Sequence, residues 1–541
     1  MEKTENILTP KGVTAAGNQQ TAQAGADIMS AGGNAVDAAI GAAFVSFVSE
    51  GALVNFCGGG IAQVMDPNSG QAITYDFFSN MPGLNRKSSE QPLDFNKITV
   101  DFGSTTQDFF VGRGSVAVPG NLFGLCAMHR DFGRLPLTEV LQPAIDLARN
   151  GAPLDDFQAL CSGLLKPIFT GTPSVQSIYE PNGKFVTKGD LIQIPDLADT
   201  IEEIAREGER PLRFGRLAEA LVADQEAHGG LVTRQDLASY NVVRSQPIRI
   251  PYRDYEVLLP RPASTGGVLT AFTLKLLSRF NLPEFKHGSA DHLQILAEAM
   301  SASTRARPHW EEGRHRLKIN EAIDRFLADE FVADYATEAM TAIIRGRPSR
   351  IQDENLSHND TSHISVVDSS GMAVAITTSS GESAGYVVPG TGLIPNNMLG
   401  EEDLFPDGFH NYPAGERIYT MMTPTIVLKD GKVQLVTGSG GSIRIRSAIL
   451  QIISNVLDFG LPLDQATAHP RVHLERKLLQ CEAGTDSAAM DELESLGYRL
   501  NRWSEQSMYF GGAHSIMLDA DQNKQACGDP RRAGCQAVSE K

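Results

Sequence analysis

The strongest constraint on the fold is an abrupt change of pattern near residue 360. Residues 347–359, RPSRIQDENLSHN, are polar and lack periodicity, which predicts an exposed connector. The residues that follow contain two runs rich in β-branched side chains, HISVVD and MAVAITT, separated by SSG. This pattern predicts a β-hairpin whose turn contains Gly371. A protein that is cut within the connector could therefore keep its folded core.

Pairing within this hairpin brings hydroxyl side chains together beside Thr361. If Val367 lies opposite Met372, then Thr361 lies opposite Thr378. The same pairing places Thr361 diagonal to Ser379, with an uncertainty of about one residue in the register. On its own, the hairpin favours a ladder of hydroxyl groups without catalytic chemistry.

Patterns elsewhere in the chain predict both helices and strands. Apolar residues have helical spacing over residues 17–47, with a break into two helices at Gly32-Gly33-Asn34. The segments IAQVM and AITYDF are typical of strands, and residues 135–346 are mainly helical around one extended passage, IRIPYRDYEVLLP. A second hairpin, formed by TPTIVL, KDG and KVQLVTG, is predicted to turn at Asp430-Gly431.

Composition and charge narrow the functional classes. The chain of 541 residues has 41% hydrophobic and 21% charged residues, as soluble globular proteins do. Its formal net charge of −18 argues against a nucleic-acid partner, because phosphate binding needs clustered Lys and Arg. The six cysteines are scattered, form no Cys-x-x-Cys pair and are expected to be mostly buried thiols.

No targeting or membrane segment is predicted. The N-terminal residues lack the apolar run and cleavage site of a secretory signal, so we expect a cytoplasmic protein unless a leader was removed. The most apolar stretch, Ala35–Val54, is interrupted by Asp37 and Glu50, and the run between them is too short to span a bilayer. We therefore expect a buried helix there and no membrane contact.

Ordered blocks across nearly the whole chain resemble the γ-glutamyltranspeptidase family. Residues 360–368, DTSHISVVD, are similar to the motif in which a Thr before Thr/Ser-His becomes the N-terminus of the small subunit. The upstream blocks are AGGNAVDAAIGAAF, CGGGI, VAVPGNLFG, LPLTEVLQPAIDLARNG, GGLVTRQDLASYNVVRSQPIRIPYRDYEV and PASTGG. The downstream blocks are MMTPTIVLKDGKVQLVTGSGGSIRIRSAILQIISNVLDFGL and GDPRR. Each block alone is a weak signal, whereas their shared order is specific.

The resemblance implies an α+β fold, a four-layer αββα sandwich of the N-terminal-nucleophile hydrolase type, made as an inactive precursor. Cleavage between Asp360 and Thr361 would give a large subunit, residues 1–360, and a small subunit, residues 361–541. The two fragments are expected to remain one intertwined folding unit, a heterodimer that could pair further. The remaining partner would be a small γ-glutamyl or other acyl amide substrate.

The chemistry of such a cut gives Thr361 two roles. In the precursor its hydroxyl attacks the carbonyl of Asp360, and water hydrolyses the ester that the N-to-O acyl shift produces. The freed α-amine, with an ordinary pKa of about 7.7–8.0, can then accept the hydroxyl proton as a general base. No cofactor, metal or Ser/His/Asp triad is needed for this reaction.

Two further parts of the family's catalytic site have counterparts in this chain. Ser379 stands where the family has a Thr that hydrogen-bonds the nucleophile. Residues 438–442, GSGGS, resemble the oxyanion loop, in which the backbone N–H groups of Gly441 and Ser442 would stabilise the tetrahedral intermediate. A gap of one residue in the alignment would assign Gly440 and Gly441 instead.

The substrate-binding positions depart from the family pattern. Phe78 stands in place of the Arg that pairs with the substrate α-carboxylate, and Gly381 replaces an Asn that contacts the α-amino-acid end. Thr420-Met421 replaces a Ser-Ser pair, and the stretch Asn396-Asn397-Met398 lacks the family's nearby Asp. We therefore expect catalysis to be retained and glutamate recognition to be altered.

The lid loop at residues 398–417 is also shorter than is usual in the family. A more open site admits larger acyl groups and more water, which favours hydrolysis over transfer. Arg113, Arg444 or Arg446 could supply the missing contact to a substrate carboxylate.

Three functions are compatible with this pattern. The favoured one is hydrolysis or transfer of a γ-glutamyl or related acyl group from an amide, as in glutathione metabolism. The second is a cephalosporin-acylase-like or other amide acylase that uses the same nucleophile with a different acyl pocket. The third is an uncleaved, non-catalytic binding protein of the same fold.

Overall fold

The computed structural model describes residues 12–86, 91–101, 106–349, 361–405, 408–475 and 477–540. Asp360, on one side of the predicted cleavage site, and residues 350–359 of the predicted connector lie outside the described residues. The strands are β1 Gly12–Ala16, β2 Gly59–Asp66, β3 Gln71–Phe77, β4 Asn96–Asp101, β5 Thr106–Val111, β6 Ala152–Pro153, β7 Leu191–Ile192, β8 Val243–Ser245, β9 Ile248–Tyr252, β10 Tyr255–Leu259, β11 Ser362–Asp368, β12 Ala373–Ser379, β13 Thr425–Lys429, β14 Lys432–Thr437, β15 Ser439–Gly440, β16 Val472–Glu475, β17 Leu478–Cys481, β18 Leu500–Arg502, β19 Gly512–Ala513, β20 Ser515–Leu518, β21 Lys524–Cys527 and β22 Cys535–Val538.

The helices fall mainly in two stretches, before β11 and after β15. They are α1 Gln19–Ser30, α2 Ala35–Ser49, α3 Asn121–Phe132, α4 Leu137–Val140, α5 Gln142–Asn150, α6 Asp156–Leu164, α7 Lys166–Phe169, α8 Pro173–Tyr179, α9 Pro195–Glu207, α10 Arg210–Arg213, α11 Arg216–Ala227, α12 Arg234–Ser239, α13 Thr265–Leu277, α14 Ala290–Arg316, α15 Ile319–Phe326, α16 Asp329–Ile344, α17 Arg444–Leu457, α18 Leu463–Ala468 and α19 Ser487–Ser495. The predicted pair of helices near the N-terminus and both predicted hairpins are present.

Two antiparallel sheets form the centre of the fold. The strand order of the first is β22-β1-β11-β12-β2-β3-β8, and that of the second is β21-β20-β14-β13-β10-β9. An apolar core between the sheets includes Val13, Val367, Ile426 and Val436. Because the outer faces of the sheets are also apolar, each needs a helical layer to cover it.

Helices cover both outer faces. Ile364 and Val366 of the first sheet pack in one core with residues of α1 and α2, and Val427 and Leu435 of the second sheet pack in another with residues of α13, α14 and α17. The four layers are therefore αββα, and the predicted fold class is confirmed. Within the described ranges, none of the helices combines the length and apolar composition that crossing a lipid bilayer demands.

Local sequence explains how the first helical layer begins. Gly32, at a φ of +106°, separates α1 from α2, and Asn34 starts α2 by accepting the N–H groups of Val36 and Asp37 at 3.0 Å. Asp37 completes a capping box by accepting the N–H of Asn34 at 3.1 Å. Every residue of α2 is buried, as predicted for this apolar stretch.

The first hairpin has a register one residue away from the predicted one. Val367 pairs with Ala373, not with Met372, and Ser362 pairs with Thr378. The cause lies in the turn, where the N–H of Asp368 donates to the carbonyl of Met372 at 3.1 Å. This bond closes a loop of three residues, 369–371, instead of the shorter loop that was predicted. Continuing the ladder by one step places Thr361 opposite Ser379, within the uncertainty stated for the prediction.

Candidate active site

Thr361 lies just before β11, at the end of the first sheet. Successive residues of a strand point to opposite faces, so Thr361 shares with Val367 the face directed at the second sheet. Its side chain lines a cavity of about 920 Å³, and the residue is only 4% exposed. Thr361 therefore borders a space large enough for a small-molecule substrate.

The cavity brings together most of the residues predicted from the sequence. Its lining includes Thr361, Ser379, Gly381, Ser442, Phe78, Thr420 and Met421. These residues lie just before β11, at and after the end of β12, just after β3, in the segment before β13 and in the loop before α17. The predicted nucleophile, hydroxyl partner and oxyanion loop thus meet at one wall.

Ser379 is the last residue of β12 and faces Thr361 across the ladder. It also pairs with Gly59 of β2, so it is fixed from both sides within the sheet. Its Oγ accepts the backbone N–H of Gly381 at 3.0 Å, which turns the chain at Gly381, where φ is +63°. A hydroxyl in this position can orient the side chain of Thr361.

The loop after β14 passes directly beside Thr361. A Cβ atom at Gly440 would lie 2.1 Å from the carbonyl oxygen of Thr361, so no side chain fits at residue 440. Gly441 and Ser442 follow with φ values of +114° and +50°, and α17 begins at Arg444. Backbone N–H groups at a helix N-terminus favour negative charge. The loop therefore has the location and the polarity that an oxyanion site needs.

Asp403 holds this loop from the lid side. Ser442 Oγ donates to a carboxylate oxygen of Asp403 at 2.8 Å, and both residues line the cavity. The contact joins the segment 398–405 to the loop before α17. It therefore fixes a side chain of the predicted oxyanion loop against the lid segment.

His363 links β11 to its neighbour β12 within the first sheet. One ring nitrogen lies 2.8 Å from Thr377 Oγ1 and the other lies 3.0 Å from Ser365 Oγ. Burial, with a further contribution from His514, holds the pKa of His363 well below its ordinary value. The imidazole is therefore neutral and buried, and it positions the strand without exchanging protons with substrate.

A buried carboxyl group lies behind Thr361, on the opposite face of β11. Glu50, just after α2, accepts hydrogen bonds at 2.6 Å from Ser362 Oγ and at 2.6 Å from Thr21 Oγ1. Burial raises the pKa of Glu50 to about 7, although the hydrogen bonds from Ser362 and Thr21 oppose this shift. Glu50 thus anchors the residue after the predicted nucleophile.

Arg532, near the C-terminus, also contacts Thr361. Its Nη1 donates to the carbonyl oxygen of Thr361 at 3.4 Å, and its Nη2 donates to the carbonyl of Met508 at 3.4 Å. An ideal Cβ at Gly440 would lie 3.2 Å from Nη1, so the guanidinium also touches the oxyanion loop. The residue is 3% exposed.

Two of the predicted substrate-binding residues are not brought to the cavity. Asn396 Oδ1 accepts the N–H of Ala117 at 3.0 Å, and its Nδ2 donates to the carbonyl of Cys57 at 2.7 Å. Asn397 Oδ1 accepts the N–H of Glu382 at 2.7 Å. Both side chains are fully buried and bind backbone groups, so they hold the start of the lid in place instead of contacting substrate.

Phe78 lies at the cavity wall, where the sequence placed it. It is 1% exposed and packs in an apolar cluster with Met81, Met398 and Met422, which also line the cavity. Arg417 lies beside it, but this guanidinium donates to the backbone carbonyl of Phe78 and, at 2.6 Å, to that of Asn241. Arg417 is thus used to support the wall.

The three arginines suggested as possible replacements lie outside the described cavity lining. Arg113 pairs with Asp224 at 3.2 Å, and Arg446 Nη1 donates to Ser303 Oγ at 3.2 Å. Arg444 is 3% exposed and lies over the ring of Tyr509.

Sequence reasoning missed four residues that border the site. Asp403 and Arg417 belong to the lid segment, for which the sequence analysis used only the length. Glu50 entered that analysis only as a charge that interrupts an apolar run. Arg532 is the last residue of the GDPRR block, which was used to recognise a family and not to locate a site. Among the described residues, no group of His, Cys, Asp and Glu is arranged to hold a metal ion.

The chain is similar in sequence to known proteins along nearly its whole length. The model of the family described as Gamma-glutamyltranspeptidase matches residues 21–539. Acylase ACY 1 proenzyme of Pseudomonas sp. (strain SE83) is 31% identical over 518 residues, covering 94% of this chain and 90% of the relative. Glutathione hydrolase proenzyme of Escherichia coli (strain K12) is 30% identical over 548 residues, covering 97% of this chain and 91% of the relative.

A solved structure shares the fold along the whole chain. The crystal structure of cephalosporin acylase from Bacillus halodurans superposes with a TM-score of 0.83, and the match covers 100% of this chain and 98% of that one. The sequence identity is 24%, so this likeness describes the fold alone.

Proposed function

This chain belongs to the gamma-glutamyltranspeptidase family, and we propose that it hydrolyses or transfers a γ-glutamyl or related acyl group from an amide through Thr361. The observation that carries the proposal is the position of Thr361 at the wall of the 920 Å³ cavity, between Ser379 and the loop containing Ser442. Relatives are named as hydrolase and acylase proenzymes, which favours an enzyme over a non-catalytic binding protein.

Maturation in this proposal is a cut of the Asp360–Thr361 bond. The Thr361 hydroxyl attacks the Asp360 carbonyl carbon, the peptide nitrogen leaves as the α-amine, and water hydrolyses the resulting ester. In turnover the same hydroxyl attacks the amide carbonyl of the substrate while the α-amine takes its proton. The amine leaving group receives that proton as the acyl-enzyme forms.

The surrounding residues have separate roles in the reaction. Ser379 orients the hydroxyl of Thr361, and the N–H groups of Gly441 and Ser442 stabilise the negative oxygen of the intermediate. A second water, or an acceptor amine, then attacks the acyl-enzyme and frees Thr361. The Asp403 contact to Ser442, at 2.8 Å, keeps the loop in place through both steps.

A second candidate function, an amide acylase of cephalosporin-acylase type, is favoured by the wall at Phe78. A substrate α-carboxylate loses hydration on entering the cavity and needs a cation or several donors to offset that cost. Phe78 offers none, and the nearby Arg417 is occupied with Phe78 and Asn241. An acyl group that lacks the α-amino and α-carboxylate groups would bind there at a smaller desolvation cost.

Self-cleavage is tested on a denaturing gel of the purified protein. We expect fragments of about 39 and about 20 kDa, in proportion to 360 and 181 residues, and a small fragment that begins Thr-Ser-His-Ile. Thr361→Ala should abolish cleavage and turnover, whereas Thr361→Ser should retain slow versions of both because Ser keeps the hydroxyl. An intact chain with full amidase activity would exclude this mechanism.

A donor panel on the cleaved protein separates the two enzyme functions. γ-Glutamyl-p-nitroanilide, glutaryl-p-nitroanilide and a simple acyl anilide are compared at equal concentrations. Preference for the first supports a γ-glutamyl enzyme, and preference for either of the others supports an acylase.

A further inference from the structure

Arg532 is a buried cation beside Thr361, and the proposed reaction of Thr361 does not by itself explain why it is there. Its guanidinium is buried, it touches the carbonyl oxygen of Thr361 at 3.4 Å, and it borders Gly440 of the oxyanion loop. It also occupies an open edge of β11, because β1 pairs only with Ile364–Asp368 and ends before Thr361. An Arg remains charged at all accessible pH values.

A rigid buried network fixes the position of Arg532. Asp529 accepts the N–H of Ala513 at 2.8 Å, and it forms ion pairs with Arg471 at 2.5 Å and Arg531 at 3.2 Å. The N–H of Arg532 donates to the carbonyl of Asp529 at 3.2 Å. The network thus fixes the backbone at Arg532, and the guanidinium is held by its bonds to the carbonyls of Thr361 and Met508.

The distance to the α-amine follows from covalent geometry. The nitrogen of a residue lies within about 3.7 Å of its own carbonyl oxygen, so Arg532 Nη1 lies at most about 7 Å from the Thr361 nitrogen. At that distance one positive charge shifts the pKa of an amine downward by roughly 0.4–1.7 units, for an effective dielectric constant of about 80 to about 20.

Other ionisable groups around Thr361 also contribute to the charge near its nitrogen. His363 and His514 are buried, and burial lowers the pKa of both, so they are neutral near pH 7. Glu50, which accepts from Ser362, and Asp403, which accepts from Ser442, would each raise the amine pKa and so oppose Arg532. Burial raises the pKa of Glu50 to about 7, so this carboxyl is only partly ionised at neutral pH.

We propose that Arg532 is a positioning residue whose fixed positive charge keeps the α-amine of Thr361 in its free-base form at neutral pH. The proposal rests on the proposed function, in which that amine is the general base. A free amine accepts the hydroxyl proton, whereas an ammonium group cannot. Arg532 thereby adjusts the base and holds the oxyanion loop with the same side chain.

The test is the pH dependence of kcat/KM for the matured enzyme with an acyl p-nitroanilide, in wild type, Arg532→Gln and Arg532→Lys. The acid limb of that profile reports the base of the free enzyme. In Arg532→Gln we expect this limb to move up by roughly 0.4–1.7 pH units. In Arg532→Lys it should stay close to wild type because the charge is kept.

Arg502→Gln is the matched control, since it removes an exposed guanidinium paired with Asp491 and Glu494 and should leave the acid limb in place. An unmoved limb in matured Arg532→Gln overturns the proposal. If Arg532→Gln does not mature, the wild-type amine is titrated by an amine-reactive reagent, with labelling of the small fragment followed by mass. A pKa below about 7.7 supports the proposal, and a pKa of about 7.7 or more refutes it. A small fragment that does not begin at Thr361 would instead refute the proposed function.

Discussion

Replacing Gly440 by Ala tests whether the loop before α17 must lie against Thr361. The new Cβ would meet the Thr361 carbonyl oxygen at 2.1 Å, whereas ordinary Cβ contacts are no shorter than 3.0 Å. The loop or the nucleophile must therefore move by about 1 Å, and misplacement on that scale costs about 100-fold in rate. Loss of one oxyanion donor costs about 10²- to 10³-fold, so we expect kcat to fall at least 100-fold.

The assay compares kcat, KM and Tm of matured Gly440→Ala with those of wild type. Gly163→Ala is the control, because Gly163 lies within α6 and an added Cβ there meets nothing within 4 Å. That substitution should leave kcat unchanged and stabilise the helix slightly. A fall in kcat at unchanged Tm identifies a local effect. Wild-type kcat in Gly440→Ala would refute the contact between the loop and the nucleophile.

Three further changes follow from the same geometry. Ser379→Ala should lower the initial rate by roughly 2- to 10-fold without preventing cleavage, since it removes one orienting hydrogen bond. Phe78→Arg should improve the KM for γ-glutamyl-p-nitroanilide by roughly 10- to 150-fold relative to 4-aminobutanoyl-p-nitroanilide, which lacks only the α-carboxylate. Burial, with the charges of His287 and His469, lowers the pKa of His292 from 6.5 to about 3. This neutral imidazole stabilises the fold fully above pH 6.5, and the contribution is lost as pH falls, by about 1.4 kcal/mol per unit. Tm measured from neutral to acidic pH should fall less steeply in His292→Leu, and equal slopes would exclude His292 as the cause.

Local signals explain what could be predicted from the sequence. The two hairpins, the break between α1 and α2 and the glycines before α17 each depend on residues close together in the chain. The register of the first hairpin was missed by one residue because a backbone bond at Asp368 decides the loop length. A pattern of β-branched residues does not specify that bond.

The parts of the site that could not be predicted from the sequence depend on contacts between residues that are far apart in the chain. Ser442 and Asp403 are 39 residues apart, and Arg532 and Thr361 are 171 residues apart. Asn396 and Asn397 were predicted to bind substrate because of their place in a motif, but their hydrogen bonds to buried backbone groups depend on tertiary packing. That Phe78 stands in place of a cation stays a prediction, whereas the hydrogen bond from Arg417 to the Phe78 carbonyl could be found only in the folded structure.

The strand order of the first sheet determines how the two fragments could reassemble after unfolding. The hairpin of β11 and β12 lies between β1 and β2, and β22 lies on the far side of β1. A cut before Thr361 would therefore leave strands of the two fragments alternating in one ladder. The precursor assembles this ladder by unimolecular folding, but the separated fragments would need to find each other in solution. Once heat-denatured, the cut protein should recover in proportion to its concentration, whereas an uncut Thr361→Ala chain should refold independently of it.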